Sequence, residues 1–251
     1  MPVLTSTIWL VLFVLVLSLY VQTITGFAFS LLFLGFVGVF ELMPIAVAAD
    51  AATLIALIQT AFFLRQEGVG SEWKLIRPAV FAAAPGVAMG VALLYWLGET
   101  QRLVLQMLLG VVIVTAAALM LIEVRKQSSP SGSQTFRVAG LLSGIMGGLF
   151  SAAGPPIVYL LYRQPLALKA VRHSLFLMFG AIQSMRLIYV LVGGHLEVRS
   201  IVFAGLSVPL AFLVTHFASR YPLPLSAFAF KRLAAVLLVA TGLSLVISAL
   251  L

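Results

Sequence analysis

Apolar stretches long enough to cross a bilayer recur along the whole chain, and this pattern limits the possible folds more than any other feature. They lie at residues 44–64, 78–97, 102–122, 174–192, 199–216 and 226–251. Two longer apolar stretches, residues 7–40 and 138–162, are interrupted by small and polar residues. A helix of about 20 apolar residues spans the hydrocarbon core of a membrane. The sequence therefore predicts an all-α polytopic integral membrane protein of about eight hydrophobic segments.

The composition agrees with this interpretation, since 63% of the 251 residues are hydrophobic and 9% are charged. Soluble domains have about 25% charged residues, and a soluble protein this apolar would expose patches that aggregate. The composition argues against a soluble enzyme, a nucleic-acid-binding protein and a disordered chain. The net charge of +8 is expected to come from cytoplasmic loops rich in Lys and Arg. The chain has no Cys, and we expect no cofactor and no metal.

The two halves of the chain match each other, and each opens with an interrupted apolar stretch. Gln59 aligns with Gln183 at an offset of 124, and Gly26 aligns with Gly154 at an offset of 128. Internal repeats are the usual construction of secondary transporters. We predict an N-terminal transmembrane repeat, a polar cytoplasmic connector and a C-terminal transmembrane repeat. These regions cover residues 1–122, 123–137 and 138–251.

The distribution of charge indicates that the two repeats are inverted relative to each other. Of the 15 Lys and Arg residues, Arg186 lies inside a span. If residues 138–162 enter and leave on the same side, twelve of the others are cytoplasmic, and only Arg102 and Arg199 lie outside. Four full crossings in each half would divide these cations equally, against the positive-inside rule. We therefore expect a re-entrant segment and periplasmic termini, with a single kinked span over residues 138–162 as the alternative.

The two interruptions predict a substrate site near the bilayer midplane. Irregular backbone at membrane depth is tolerated only inside protein or beside a water-filled cavity, and paired breaks in a repeat point to a transport site. Helix N-termini at the breaks would favour an anion through their amides and dipole. The candidate residues at the breaks are Thr25, Gly26, Phe27, Ser151, Gly154 and Pro155. Kinks that only ease helix packing are the alternative.

Polar side chains inside the apolar spans are further candidates, because burying ionisable groups in a membrane is costly. Asp50 is the only Asp in the chain, and it lies in a different span from Arg186. Arg186 is a candidate to bind the anion, and Asp50 is a candidate for proton or conformational coupling. A structural ion pair between them is the alternative. Gln59 and Gln183 are candidates either for substrate contact or for hydrogen bonds between helices.

The two break motifs resemble those of the TauE/SafE sulfite-exporter family, also known as the 4-toluene sulfonate uptake permease family. The motifs are Thr25-Gly26-Phe27-Ala28-Phe29-Ser30 and residues 140–156, which end in Gly154-Pro155-Pro156. The resemblance covers nearly the whole chain, and the second motif matches better, because family members usually carry a run of glycines in the first. It implies transport of sulfite or an organosulfonate such as sulfoacetate across the bacterial inner membrane.

Other function classes fit the sequence less well. The chain has no Gly-x-Ser-x-Gly elbow and no His-Glu-x-x-His motif, so we do not expect an enzyme. The expected partners are a small anion, the lipid bilayer and a coupling proton, and not nucleic acid. A passive anion channel, a transporter of another anion such as a carboxylate, the direction of transport and a homodimer are left open.

Overall fold

A computed structural model describes residues 2–25, 28–67, 73–122, 125–220 and 227–250. These residues form ten α-helices. The first half contains α1 (Pro2–Thr25), α2 (Phe29–Val39), α3 (Ile45–Glu67), α4 (Trp73–Thr100) and α5 (Arg102–Leu121). The second half contains α6 (Ser133–Phe150), α7 (Gly154–Arg163), α8 (Leu168–Val192), α9 (Val198–Arg220) and α10 (Ala227–Leu250).

Five of the described helices, α3, α4, α5, α8 and α10, contain segments that are long and apolar enough to cross a membrane. Shorter apolar segments occur in α1, α2 and α9, at Trp9–Gln22, Phe29–Val39 and Val198–Val214. The prediction of an all-α polytopic membrane protein is therefore confirmed. The first turn of α6 begins at Ser133, within residues 123–137 of the predicted connector. Polar residues are tolerated there, since the first turn of a helix at an aqueous surface can bond to water.

The second interrupted stretch forms two helices that lie side by side. Ser151 follows α6 and has a left-handed backbone conformation, with φ of 55°. The backbone amide of Ile157 in α7 then donates a 3.1 Å hydrogen bond to Oγ of Ser143 in α6, 14 residues earlier. In a continuous helix these positions would be about 21 Å apart. The chain thus reverses direction between α6 and α7.

Contacts between loops show that this helix pair begins and ends at one end of the bundle. The connector before α6 and the loop after α7 are joined, because the Gln127 amide donates to the Arg163 carbonyl at 2.8 Å. The backbone amide of Ser131 also donates to Oε1 of Gln164 at 2.8 Å. We call the end formed by residues 125–132 and 163–167 the connector end.

The opposite end is formed by the starts of α3, α5 and α9. Arg102, the first residue of α5, pairs with Glu41 at 3.2 Å. Oγ of Ser200 in the first turn of α9 donates to the carbonyl of Val47 in the first turn of α3, at 3.1 Å. Near the other end of α3, Phe63 stacks on Phe176 at 3.7 Å between ring centroids, close to where α8 starts after the connector end, so α3 crosses the bundle.

The most extensive helix contact, between α4 and α6, depends on glycine. Both helices carry glycine at every fourth position of the contact, namely Gly86, Gly90, Gly140, Gly144 and Gly148. A Cβ added at Gly144 would lie 2.4 Å from the carbonyl oxygen of Ala83, and one at Gly140 would lie 2.2 Å from that of Ala79. The two helices run parallel, because Ala79 and Ala83 face these glycines in the same order. Small residues at this spacing let membrane helices approach closely.

We expect Gly144→Ala to destabilise the protein, because the added Cβ meets backbone that cannot rotate away. Overpacking of this kind costs about 1–3 kcal/mol, and thermal unfolding of the detergent-purified protein measures the loss. Gly205→Ala in α9 is the matched control, since nothing lies within 4 Å of a Cβ there. The control should keep or raise the Tm, because alanine favours a helix over glycine by about 1 kcal/mol. An equal fall in Tm in both variants would contradict the packing role of Gly144.

Candidate functional site

The contact between α3 and α8 brings together the two ionisable residues predicted to lie inside spans. Nη1 of Arg186 is 2.8 Å from Oδ1 of Asp50, and each side chain is only 1% exposed. Asp50 lies in the second turn of α3, and Arg186 lies in the second-last turn of α8. Both charged groups are therefore removed from bulk water and lose their hydration. Partners within the protein must replace that hydration.

Arg186 makes three hydrogen bonds and retains one unused nitrogen. Besides Asp50, its Nη1 donates to Oγ1 of Thr53 at 2.8 Å, and its Nε donates to the carbonyl of Gly148 at 3.0 Å. Gly148 lies in the last turn of α6, where carbonyls have no partner within the helix and the dipole favours a cation. Nη2 of Arg186 is buried and has no hydrogen-bond partner among the described residues. Two N–H donors of a charged group thus remain for an acceptor.

Asp50 is held by a second donor that the sequence analysis did not find. The hydroxyl of Tyr95 in α4 donates to Oδ2 of Asp50 at 2.7 Å. The Tyr95 ring stacks on His195, with ring centroids 4.0 Å apart. His195 is exposed in the turn between α8 and α9 at the opposite end of the bundle. A line of contacts therefore connects the buried carboxylate to the exposed surface of the protein.

Ser151 places the second helix break in contact with the same cluster. Nε2 of Gln183 donates to both the hydroxyl and the carbonyl of Ser151, at 2.8 Å each. Oγ of Ser151 also accepts a hydrogen bond from Oγ1 of Thr53 at 3.2 Å. Oε1 of Gln183 is buried without a partner among the described residues. The cluster thus presents a hydroxyl and an unpaired amide oxygen beside the charged pair.

Gln59, which aligns with Gln183 in the predicted repeat, makes a different contact. Its Oε1 accepts a hydrogen bond of 2.8 Å from Nε2 of Gln22 near the end of α1. Each side-chain amide therefore bonds to a residue a few positions before the glycine of a predicted break, Gln22 before Gly26 and Ser151 before Gly154. Gln59 therefore bonds to Gln22, which was not predicted as a site residue, and not to the buried ion pair.

The predicted residues at the breaks are only partly described. Gly26, Phe27 and the side chain of Thr25 lie outside the described residues. Gly154 and Pro155 are buried and open α7, three and four residues after Ser151.

The start of α7 has fewer backbone donors than we predicted for an anion site. Pro155 and Pro156 have no amide hydrogen, and the amide of Ile157 donates to Ser143. In the first turn of α7, only Gly154 therefore has a backbone N–H that is not donated to Ser143. The first turn of α2 contains no proline, and Phe29 and Ser30 keep their amide hydrogens. Side-chain donors therefore matter more at the second break than the sequence suggested.

Known proteins resemble this chain over almost its whole length. The profile of the Sulfite exporter TauE/SafE family matches residues 10–245. The probable sulfite/organosulfonate exporter TauE of Cupriavidus necator is 30% identical over 230 residues, which cover 92% of this chain and 90% of the relative. No solved structure matches the chain. With the family profile matching from α1 to α10 and the relative aligned over nearly the full length of both chains, this multi-pass membrane protein belongs to the Sulfite exporter TauE/SafE family.

Proposed function

We propose that the protein is a secondary transporter that moves a small sulfur-containing anion across the bacterial inner membrane. Family membership and the name of the relative, a probable sulfite/organosulfonate exporter, support sulfite or an organosulfonate such as sulfoacetate as the substrate. The observation that carries the proposal is the buried Nη2 of Arg186, which has no partner among the described residues. A sulfite or sulfonate oxygen would accept strong charge-assisted hydrogen bonds from this nitrogen.

The anion would bind beside Ser151, at the second helix break. The Ser151 hydroxyl is linked through Thr53 to Nη1 of Arg186, at 3.2 and 2.8 Å. Nη2 carries two N–H donors in the plane of the guanidinium, which suits an anion with several oxygens. An ammonium at this position would offer only a point charge.

Burial of the ion pair favours a carrier over a passive channel. Asp50 and Arg186 are each 1% exposed, so neither side chain lies on a water-accessible path through the described helices. A carrier encloses its substrate between alternate openings, whereas an open channel keeps a continuous aqueous path. The enclosed pair therefore supports the carrier.

The charges at the site also support proton coupling through Asp50. The Asp50–Arg186 pair is neutral as a whole, and a monovalent anion bound to it would leave a net negative charge in a region of low dielectric. Protonation of Asp50 as the anion binds would keep the loaded site neutral and free Arg186 to hold the anion. We therefore propose that a proton moves with the anion in the same direction.

The helix contacts support two repeats related by a two-fold axis, and α3 and α8, which start at opposite ends of the bundle, run antiparallel as inverted repeats require. If α1 to α5 correspond in order to α6 to α10, each helix contact should have an equivalent. The contact of α4 with α6 is then equivalent to that of α9 with α1, and the contact of α3 with α9 is equivalent to that of α8 with α4. All four contacts are present. The two self-paired contacts, α3 with α8 and α5 with α10, are also present. The connector end holds both the entry to α6 and the exit from α7, which supports a re-entrant pair.

Cysteine labelling tests the topology, since the natural chain has no Cys. Ser129→Cys and Ala167→Cys should react with an impermeant maleimide only from the cytoplasm, because both exposed positions lie at the connector end. Glu197→Cys, exposed at the opposite end, should react only from the periplasm. Reaction at positions 129 and 167 from opposite faces would rule out a re-entrant α6–α7 pair.

Ligand-dependent stability tests the role of Arg186. Arg186→Ala alone should cost about 3–5 kcal/mol of stability, because it leaves Asp50 buried without its partner. Asp50→Asn/Arg186→Gln should recover most of that stability yet lose transport and the rise in Tm that sulfite or sulfoacetate gives the parent by mass action.

Glu41→Gln/Arg102→Gln is the matched control for that double variant, because it neutralises an exposed ion pair instead of the buried one. Exposed pairs contribute about 0–1 kcal/mol, so its ligand response and transport should equal those of the parent. Full transport by the Asp50→Asn/Arg186→Gln variant would remove both residues from the mechanism.

Flux measurements in proteoliposomes test the coupling proposed for Asp50. In the parent, an imposed pH gradient should drive uphill movement of the anion, with protons moving in the same direction. Asp50→Asn fixes the side chain in a neutral state, so the anion should still exchange but no longer respond to the gradient. A parent protein whose flux ignores the pH gradient would contradict proton coupling and would favour passive transport.

A further inference from the structure

A cavity of about 580 Å³ opens between α4 and α6 near the connector end, apart from the transport site. Its lining consists of Lys74, Arg77, Pro78, Phe81, Ala82 and Arg137. Three of these six residues are cations, and the other three are apolar. The cavity thus combines a positively charged part with an apolar part.

The positive charge at this cavity is greater than the side chains alone provide. Because α4 and α6 run parallel, their N-termini at Trp73 and Ser133 lie at the same end, and each carries about half a positive charge. Among the described residues, neither helix has an acidic residue in its first turn. Glu72, just before α4, lies outside the described residues. Cations near helix N-termini repel the helix dipole, so this arrangement gains stability when an anion binds.

The position of the cavity along α4, at the expected level of lipid headgroups, favours a phospholipid over free phosphate as the source of that anion. Trp73 is 44% exposed at the first residue of α4, and tryptophan is enriched at the level of lipid headgroups. Phe81 is 63% exposed and lies about 12 Å further along the helix. The guanidinium of Arg77 lies between these levels, 5.6 Å from the centroid of the Phe81 ring. A phospholipid would use both the cations and the apolar wall, whereas free phosphate would use the cations alone.

From this geometry we infer that the cavity binds the headgroup phosphate of an anionic phospholipid. Lys74, Arg77 and Arg137 hold the phosphate, and Phe81 covers the first carbons of an acyl chain. Because Arg137 belongs to α6 and the other two cations to α4, the bound lipid joins helices from the two halves of the chain. This lipid site shares no residue with the proposed anion site, so a result against the transport proposal would not count against the lipid site.

Lipid titration of the full chain in neutral detergent tests this site. Phosphatidylglycerol should raise the Tm and remain bound in native mass spectrometry, whereas phosphatidylcholine and inorganic phosphate should do neither. Replacing Lys74, Arg77 and Arg137 by Gln should weaken phosphatidylglycerol binding about fivefold for each cation removed. The matched control replaces Arg125, Arg163 and Lys169 by Gln, which removes the same charge near the connector end but outside the cavity.

The control variant should retain the phosphatidylglycerol effect. Equal losses in the two triple variants would show only general attraction to negative lipids and would overturn the site. An equal rise in Tm with inorganic phosphate would replace the lipid by a free anion. If the triple variant fails to fold, Arg137→Gln and Phe81→Ala test the charged and apolar parts separately. Unchanged phosphatidylglycerol binding in both would reject the proposal.

Discussion

The buried pair of Asp50 and Arg186 is the interaction on which the rest of the structure depends. Neither charge is stable alone in an apolar interior, so α3 of the first half and α8 of the second must stay together. The surrounding polar groups follow from the same requirement. Tyr95 satisfies the second carboxylate oxygen, and the end of α6 supplies a carbonyl to the guanidinium. The pair thereby connects four helices, and its one unused nitrogen is where we propose that the substrate binds.

The break between α6 and α7 shows how the chain meets the requirement that every backbone group in a membrane be bonded. Two prolines remove amide hydrogens that would otherwise need partners, and Ser143 accepts the amide of Ile157 that follows them. Ser151 turns the chain with a left-handed conformation, and its carbonyl is bonded by Gln183. The same side chains that satisfy the break also line the proposed site. One set of residues therefore both completes the hydrogen bonding at the helix break and lines the proposed ligand site.

The sequence predicted the helical membrane architecture, because apolar segment length is set by bilayer thickness alone. It also identified Asp50 and Arg186, since charged residues inside apolar spans are conspicuous. Tyr95 could not be identified, because a tyrosine in an apolar helix gives no signal until the fold places it opposite a carboxylate. The contact of Gln59 with Gln22 was hidden for the same reason. The glycines of α6 were noticed as a motif, yet their packing against α4 required knowing which two helices are neighbours.

The pairing of α4 with α6 has a consequence for biosynthesis. The α4 face that carries Gly86 and Gly90 finds its partner only when the second half of the chain has been made. At ordinary translation rates, the 50 residues from the end of α4 to the end of α6 take about 3–10 s to synthesise. During that interval this face of α4 lacks the helix against which it packs. The first half therefore cannot complete its closest helix packing before α6 of the second half has been made.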